Sequence, residues 1–150
     1  MNPTYPIYVP TKGRADSRLT IRALTRRNIP FRVVVEPQEV DTYLTPFPRK
    51  HGNLDPSQLL VLPWSNRPDG LVAARNWIRA HAEAEGHAWH WQLDDNIRGF
   101  YRLHQNIEWR TTDGAPFYAI EQWASRYENV AIAGMQYELL APRHHRQPPP

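Results

Sequence analysis

The chain has no cysteine among its 150 residues. That excludes disulfides, thiolate metal sites and a cysteine nucleophile, and it suits a reducing compartment, so a cytoplasmic location is expected. No run approaches the roughly 20 apolar residues of a membrane span, and the N-terminus carries no signal-peptide pattern. Glycine is scarce, with seven residues, and none supplies the Gly-x-x-x-x-Gly-Lys spacing of a P-loop. No serine lies in a nucleophile elbow. Seven histidines are present, but no pair shows zinc-site spacing with a third ligand. No segment repeats. The charge is not strongly of one sign. A net charge of +3 and a pI near 9.4 suit an anionic partner such as a nucleotide or DNA, and equally an ordinary soluble surface.

Hydrophobic residues make up 41% and aromatics 11%, which indicates a globular chain rather than a disordered one. Its length suits one domain with a real core. We read residues 1–141 as that domain. The end of the chain, Pro148-Pro149-Pro150 after Arg143-His144-His145-Arg146, can add to neither helix nor sheet. Residues 142–150 are therefore expected to be a disordered tail or the start of a linker. Fifteen prolines in all mark several loop boundaries.

Strands and helices are expected to alternate. Residues 5–9 read as a strand closed by Pro10, and Asp16 or Ser17 can cap a helix that runs to about Asn28. Residues 31–35 form a second strand, whose consecutive Val33, Val34 and Val35 suggest burial on both faces, as in a parallel sheet. A short helix over 40–44, a loop over 45–57 and a strand over 59–62 come next. The spacing of Leu71, Ala74, Ile78 and Ala82 predicts a helix over 70–85, ended by Gly86. Residues 88–93 read as a fourth strand, 100–103 and 107–109 as two short ones, 117–127 as a helix with Phe117, Ile120 and Ala124 inward, and 130–135 as a final core strand. The expected fold class is α/β: an αβα sandwich around a mostly parallel, Rossmann-like sheet. In such sheets ligands bind beyond the carboxyl ends of the strands.

Each strand end carries a polar signal. The first is Thr11-Lys12-Gly13-Arg14, in which Gly13 lets the backbone turn and Lys12 and Arg14 supply cations beside a helix N-terminus. A basic surface loop explains it as well. The second is Glu36, able to accept from a ribose or base N–H, or simply to cap the next helix. The third helix carries Arg75 and Asn76 behind the small Ala73 and Ala74, and an arginine there can reach a phosphate bidentately or sit in solvent. The fourth is the most informative. The apolar run Trp89-His90-Trp91-Gln92-Leu93 ends in Asp94-Asp95-Asn96. Burying charge is costly unless it is paired or binds a metal, and all three side chains carry the hard oxygens that suit Mg²⁺ or Mn²⁺. Asp and Asn also favour turns and caps, which keeps the simpler explanation open. In a continuing strand Asp94 and Asn96 would share a face opposite Asp95.

The order of these signals resembles the nucleotide-sugar half of GT-A glycosyltransferases, and in detail the TET-associated glycosyltransferase family of phages. The likeness covers residues 5–101, more weakly to about 137. Its specific parts are Ile7-Tyr8-Val9-Pro10-Thr11-Lys12-Gly13-Arg14 and Trp91-Gln92-Leu93-Asp94-Asp95-Asn96, while 70–76 recurs among related transferases. The resemblance implies transfer of a sugar from a nucleotide-sugar donor, such as a UDP-sugar, to 5-hydroxymethylpyrimidine in phage DNA, inside an infected host cell. It implies that Thr11, Lys12, Arg14, Glu36, Arg75 and Asn76 bind the donor. It makes Asp94 and Asp95 the catalytic pair and Asp94, Asp95 and Asn96 the ligands of Mn²⁺ or Mg²⁺. Asn96 stands where a strict Asp-x-Asp motif ends in aspartate. The acceptor-side residues of such enzymes belong to the second half of the domain, so a shortened enzyme, a fragment and a donor-binding module that needs a partner all stay open. A nucleotidyltransferase of similar fold and a non-catalytic nucleotide-sugar or DNA-binding module are the competing readings.

Overall fold

The computed structural model describes residues 1–105 and 107–137. The expected tail at 142–150 lies outside the described residues. Two compact units emerge. One is Tyr5–Arg98; the other joins Met1–Thr4 to the chain from Gly99 onward.

The Tyr5–Arg98 unit is α/β. Its elements are β1 (Ile7–Pro10), α1 (Leu19–Thr25), β2 (Arg32–Val35), α2 (Val40–Leu44), β3 (Leu59–Val61), α3 (Gly70–Ala84) and β4 (Trp91–Gln92), with 3-10 turns at Pro37–Glu39 and Pro56–Gln58. The four strands form one all-parallel sheet in the order β3-β2-β1-β4, flanked by helices and compatible with a Rossmann-like fold. Val33, Val34 and Val35 are buried with Ile7, Tyr8 and Val9, so the two central strands are covered on both faces, as the valine run predicts. Each such burial is worth about 1.5–3 kcal/mol over exposure, which makes this pair of strands the anchor of the unit.

Helix α3 lays Ala74, Ile78 and Ala82 on Tyr8, Val34 and Leu62. Leu71, expected inward, is exposed instead, because the apolar cluster beneath the helix begins one turn later at Ala74. The helix ends as the sequence predicts. Gly86 takes φ +83, its N–H donates to the Glu83 carbonyl, and the His87 N–H donates to the Ala82 carbonyl. These two bonds make a complete Schellman motif, and glycine adopts that backbone without a Cβ penalty.

The start of α1 differs from expectation. Neither Asp16 nor Ser17 caps it. The N–H groups of Ser17 and Arg18 both donate to the Arg14 carbonyl, and Arg18 adopts φ 44, so the helix begins only at Leu19. The buried Arg18 side chain enforces this. It donates to the carbonyls of Ala15, Gly52 and Thr42 at 2.8–2.9 Å and lies over the Tyr43 and Phe47 rings. The fourth strand is also shorter than expected. Only Trp91 and Gln92 qualify, although Leu93 still donates to the Tyr8 carbonyl. As an edge strand, it needs one neighbour only.

The other unit holds β5 (Tyr101–His104) paired antiparallel with β6 (Ile107–Arg110), then α4 (Ala115–Ala124). The inward residues of α4 are Phe117, Glu121 and Ala124, not Ile120. Glu121 turns inward because its Oε2 accepts the Thr4 N–H at 2.7 Å. The expected strand over 130–135 is absent. Those residues have no regular element, and Ile132 is 90% exposed. An apolar run becomes a strand only where an edge is free to pair with it, and the run itself does not supply that edge. Among the described residues no helix is long and apolar enough to cross a membrane.

Candidate functional site

From β1 the chain runs outward through β2 to β3, then returns so that β4 flanks β1 on the other side. The reversal between β1 and β4 is the switch point at which open parallel sheets leave a crevice beyond the strand ends. Thr11 follows β1 there, and Asp94-Asp95-Asn96 follow β4.

The two ends are joined directly. Thr11 Oγ1 donates to Asp95 Oδ2 at 2.9 Å and lies 2.8 Å from the Tyr43 hydroxyl. A carboxylate only accepts, so the threonine proton goes to Asp95 and Tyr43 donates to Thr11. Tyr43 is fully buried, and that burial raises its pKa, which keeps the phenol protonated for this bond. Asp95 also pairs with Arg14 Nε at 3.2 Å. Asp94 takes Arg75 Nη2 at 2.5 Å, reaching from the second turn of α3. The Arg75 backbone is held in turn, since Gln92 Nε2 donates to its carbonyl at 3.1 Å.

The chain turns at Asp95 and Asn96, so the simple strand alternation does not apply. Thr20, buried in the first turn of α1, holds that turn. Its Oγ1 donates to the Asp94 carbonyl at 2.6 Å and accepts the Ile97 N–H at 2.9 Å, and its N–H reaches the Asp95 carbonyl at 3.4 Å. One buried hydroxyl thus fixes the backbone within and just after the acidic pair.

Beside this lies a second cluster. Glu36, 4% exposed, accepts from Lys12 Nζ at 2.8 Å, from the Asn66 N–H at 2.9 Å and from Gln38 Nε2 at 2.6 Å. Burial raises the Glu36 carboxyl, but these three donors outweigh it and hold the pKa below its ordinary value. Lys12 also donates to Asn66 Oδ1 at 2.9 Å. The Gly13 N–H, in a backbone at φ +66, donates to Glu39 Oε1 at 2.5 Å.

Of the residues expected from sequence, Thr11 and Arg14 meet on Asp95, Arg75 pairs separately with the neighbouring Asp94, and Lys12 pairs with Glu36. Asn76 and Asn96 are exposed, and among the described residues their side chains join none of these pairings. Thr20, Tyr43, Gln38, Glu39 and Asn66 were not singled out. Asn66 carried a signal, a loop asparagine after a strand end, while Thr20 carried none.

Every cation here is held by a carboxylate: Lys12 by Glu36, Arg14 by Asp95, Arg75 by Asp94. The Arg14 and Arg75 side chains are 51% and 38% exposed. Pairs that exposed contribute about 0–1 kcal/mol, so an anionic ligand can draw the guanidiniums away at little cost. The freed carboxylates and the Asn96 amide are a hard-oxygen set on one turn. Among the described residues no three His, Cys, Asp or Glu side chains gather for a metal. Mg²⁺ and Mn²⁺ are commonly held by one or two carboxylates while phosphate oxygens and waters complete the shell, so Asp94, Asp95 and Asn96 are the side chains here that could hold one.

A family model described as TET-Associated Glycosyltransferase matches residues 5–150. No curated protein and no solved structure matches the chain.

Proposed function

The chain belongs to the TET-associated glycosyltransferase family, and from that premise we propose that the crevice between β1 and β4 binds a nucleotide-sugar diphosphate in the GT-A manner and transfers its sugar to a hydroxyl. The observation that carries this is the pairing of two adjacent carboxylates after β4, Asp95 with Thr11 and Arg14 and Asp94 with Arg75, at the switch point of a parallel sheet.

The donor is a UDP-sugar in this reading, and the acceptor is a 5-hydroxymethylpyrimidine in DNA. Glu36 accepts from the ribose or the base, with Lys12 beside it. Arg14 and Arg75 leave Asp95 and Asp94 for the diphosphate oxygens. Glycosyl transfer passes through an oxocarbenium-like state while charge builds on the departing diphosphate. Once moved onto the diphosphate as the donor binds, the two guanidiniums stabilise that charge without further reorganisation during the reaction. Asp94 and Asp95, with the Asn96 amide, would hold Mn²⁺ or Mg²⁺, which when bound supplies Lewis-acid neutralisation of the same diphosphate. Thr11 and Thr20 keep the acidic turn in register with β1 throughout.

Calorimetry with UDP in the presence and absence of Mn²⁺ tests the donor half. Binding that strengthens with the metal and weakens in an Asp94→Asn, Asp95→Asn double variant is expected. Metal-independent binding, or none, would sink the metal role. Incubating hydroxymethylated DNA with a panel of nucleotide sugars and weighing the nucleosides tests the acceptor half. A mass increase of one sugar is the expected product, whereas an added nucleotide would identify a nucleotidyltransferase instead.

A further inference from the structure

The exposed aromatic side chains are segregated. Among the described residues they are Tyr101, Trp109, Trp123, Tyr127 and Tyr137, and all five lie in the unit that contains the β5–β6 ribbon. The Tyr5–Arg98 unit, with four tryptophans of its own, exposes only the aliphatic Val61, Leu71 and Val72 as large apolar side chains. Leaving indole and phenol rings in water forgoes burial, so their concentration in one unit asks for a partner that uses rings.

The ribbon register shows what kind of partner. Arg102 lies opposite Trp109 and His104 opposite Ile107. Residues opposite each other in an antiparallel pair share a face, so Arg102, His104, Ile107 and Trp109 form one face. Leu103 and Glu108, less exposed, belong to the other. The first face therefore carries two nitrogen donors, no carboxylate, and an indole that is 60% exposed. Arg102 has no ion-pair partner among the described residues. A flat ring directly opposite a guanidinium and diagonal to an imidazole on the facing strand is suited to a stacked base whose phosphate meets the cation, the arrangement by which proteins hold single strands. A second pair supports the assignment. Trp123 and Tyr127 on and just after α4 have ring centroids 5.2 Å apart, with Arg126 between them in sequence.

We propose that the Arg102–His104–Ile107–Trp109 face of the β5–β6 ribbon is a nucleic-acid contact surface that takes single-stranded DNA by stacking an unpaired base on Trp109 and pairing its phosphate with Arg102. The choice of DNA rests on the acceptor reading above; the choice of an unpaired strand rests on the exposed ring.

Fluorescence anisotropy with the full chain and a labelled single-stranded oligonucleotide, compared with its duplex, decides the matter. Single-strand binding should weaken about ten-fold or more in Trp109→Ala and largely persist in Trp109→Phe, which keeps a stacking ring. Arg102→Ala should lower the salt slope by about 0.7, one phosphate contact on a single strand. UDP–Mn²⁺ binding and the far-UV spectrum should stay unchanged in all three variants, which separates a lost surface from a lost fold. If the unmodified chain binds DNA but the variants bind it equally well, the surface is wrong and the acceptor reading survives. If the unmodified chain binds no DNA, both fail. Preference for duplex that is insensitive to Trp109 overturns the stacking, and self-association in sedimentation that Trp109→Ala abolishes assigns the face to a second copy instead.

Discussion

Asp94 and Asp95 look equivalent in the sequence and are not. Asp95 is bound twice from the loop after β1, by Thr11 and Arg14, whereas the side-chain contact that defines Asp94 is Arg75. Because the Arg75 pair is well exposed, Arg75→Ala should cost less than about 1 kcal/mol of stability. The same change should weaken UDP binding about ten- to a hundred-fold, the worth of hydrogen bonds to a charged group. Urea unfolding and calorimetry measure the two separately, and an unchanged UDP affinity would remove Arg75 from the donor site. Glu36 makes a different prediction. Its pKa in the folded chain lies below the ordinary 4.5 because Lys12, Asn66 and Gln38 outweigh burial. A depressed carboxyl stabilises the fold above its unfolded pKa, and that contribution is lost as pH falls through the folded one. The melting temperature should therefore fall more steeply below about pH 4.5 in the native chain than in Glu36→Gln. Parallel acid limbs in the two proteins would show that the carboxylate is not held this way.

The acidic turn is a property of elements, since the chain leaving β4 supplies the carboxylates and α1 fixes their backbone through Thr20. Thr20→Val keeps the shape and removes both hydroxyl bonds, leaving the Ile97 N–H and the Asp94 carbonyl without their partner. The expected loss is about 1–3 kcal/mol in denaturant unfolding, accompanied by weaker UDP–Mn²⁺ binding. Stability lost with affinity intact would mean that the turn is held without Thr20. The same contact explains what the sequence could and could not disclose. The valine run of β2, the alanine face of α3 and Gly86 are local signals, each read from neighbouring residues, and each holds. Leu71, Ile120 and the strand expected over 130–135 depended on what lies opposite, which periodicity does not specify. The site divides in the same way. Thr11, Arg14, Glu36, Arg75, Asp94 and Asp95 stand at strand ends or early in a helix, where topology alone points to ligand chemistry. Thr20, Tyr43 and Arg18 act by reaching other elements. A threonine inside an apolar helix, or an arginine before one, carries no local mark of that reach.

For the whole molecule the proposed donor crevice and the proposed nucleic-acid face fall in different units, a division that hydrogen exchange can test. A ligand that binds only the folded state stabilises what it touches by about 2.7 kcal/mol at a hundred times its dissociation constant, and local opening reports this segment by segment. UDP with Mn²⁺ should slow exchange in residues 11–14, 36–39, 64–76 and 93–97, the strand-end segments of the Tyr5–Arg98 unit, and leave the ribbon at 101–110 unchanged. A single-stranded oligonucleotide should do the reverse. The central β1 and β2 amides, buried on both faces, should exchange slowest with or without either ligand. If the oligonucleotide instead protects the strand-end segments and spares the ribbon, the crevice is the nucleic-acid site, and the paired arginines serve DNA phosphates rather than a sugar diphosphate. If both ligands protect the same segments, the two units do not divide donor from acceptor. Protection that separates by ligand would tie the polar crevice to the donor and the aromatic ribbon to the strand that carries the acceptor hydroxyl.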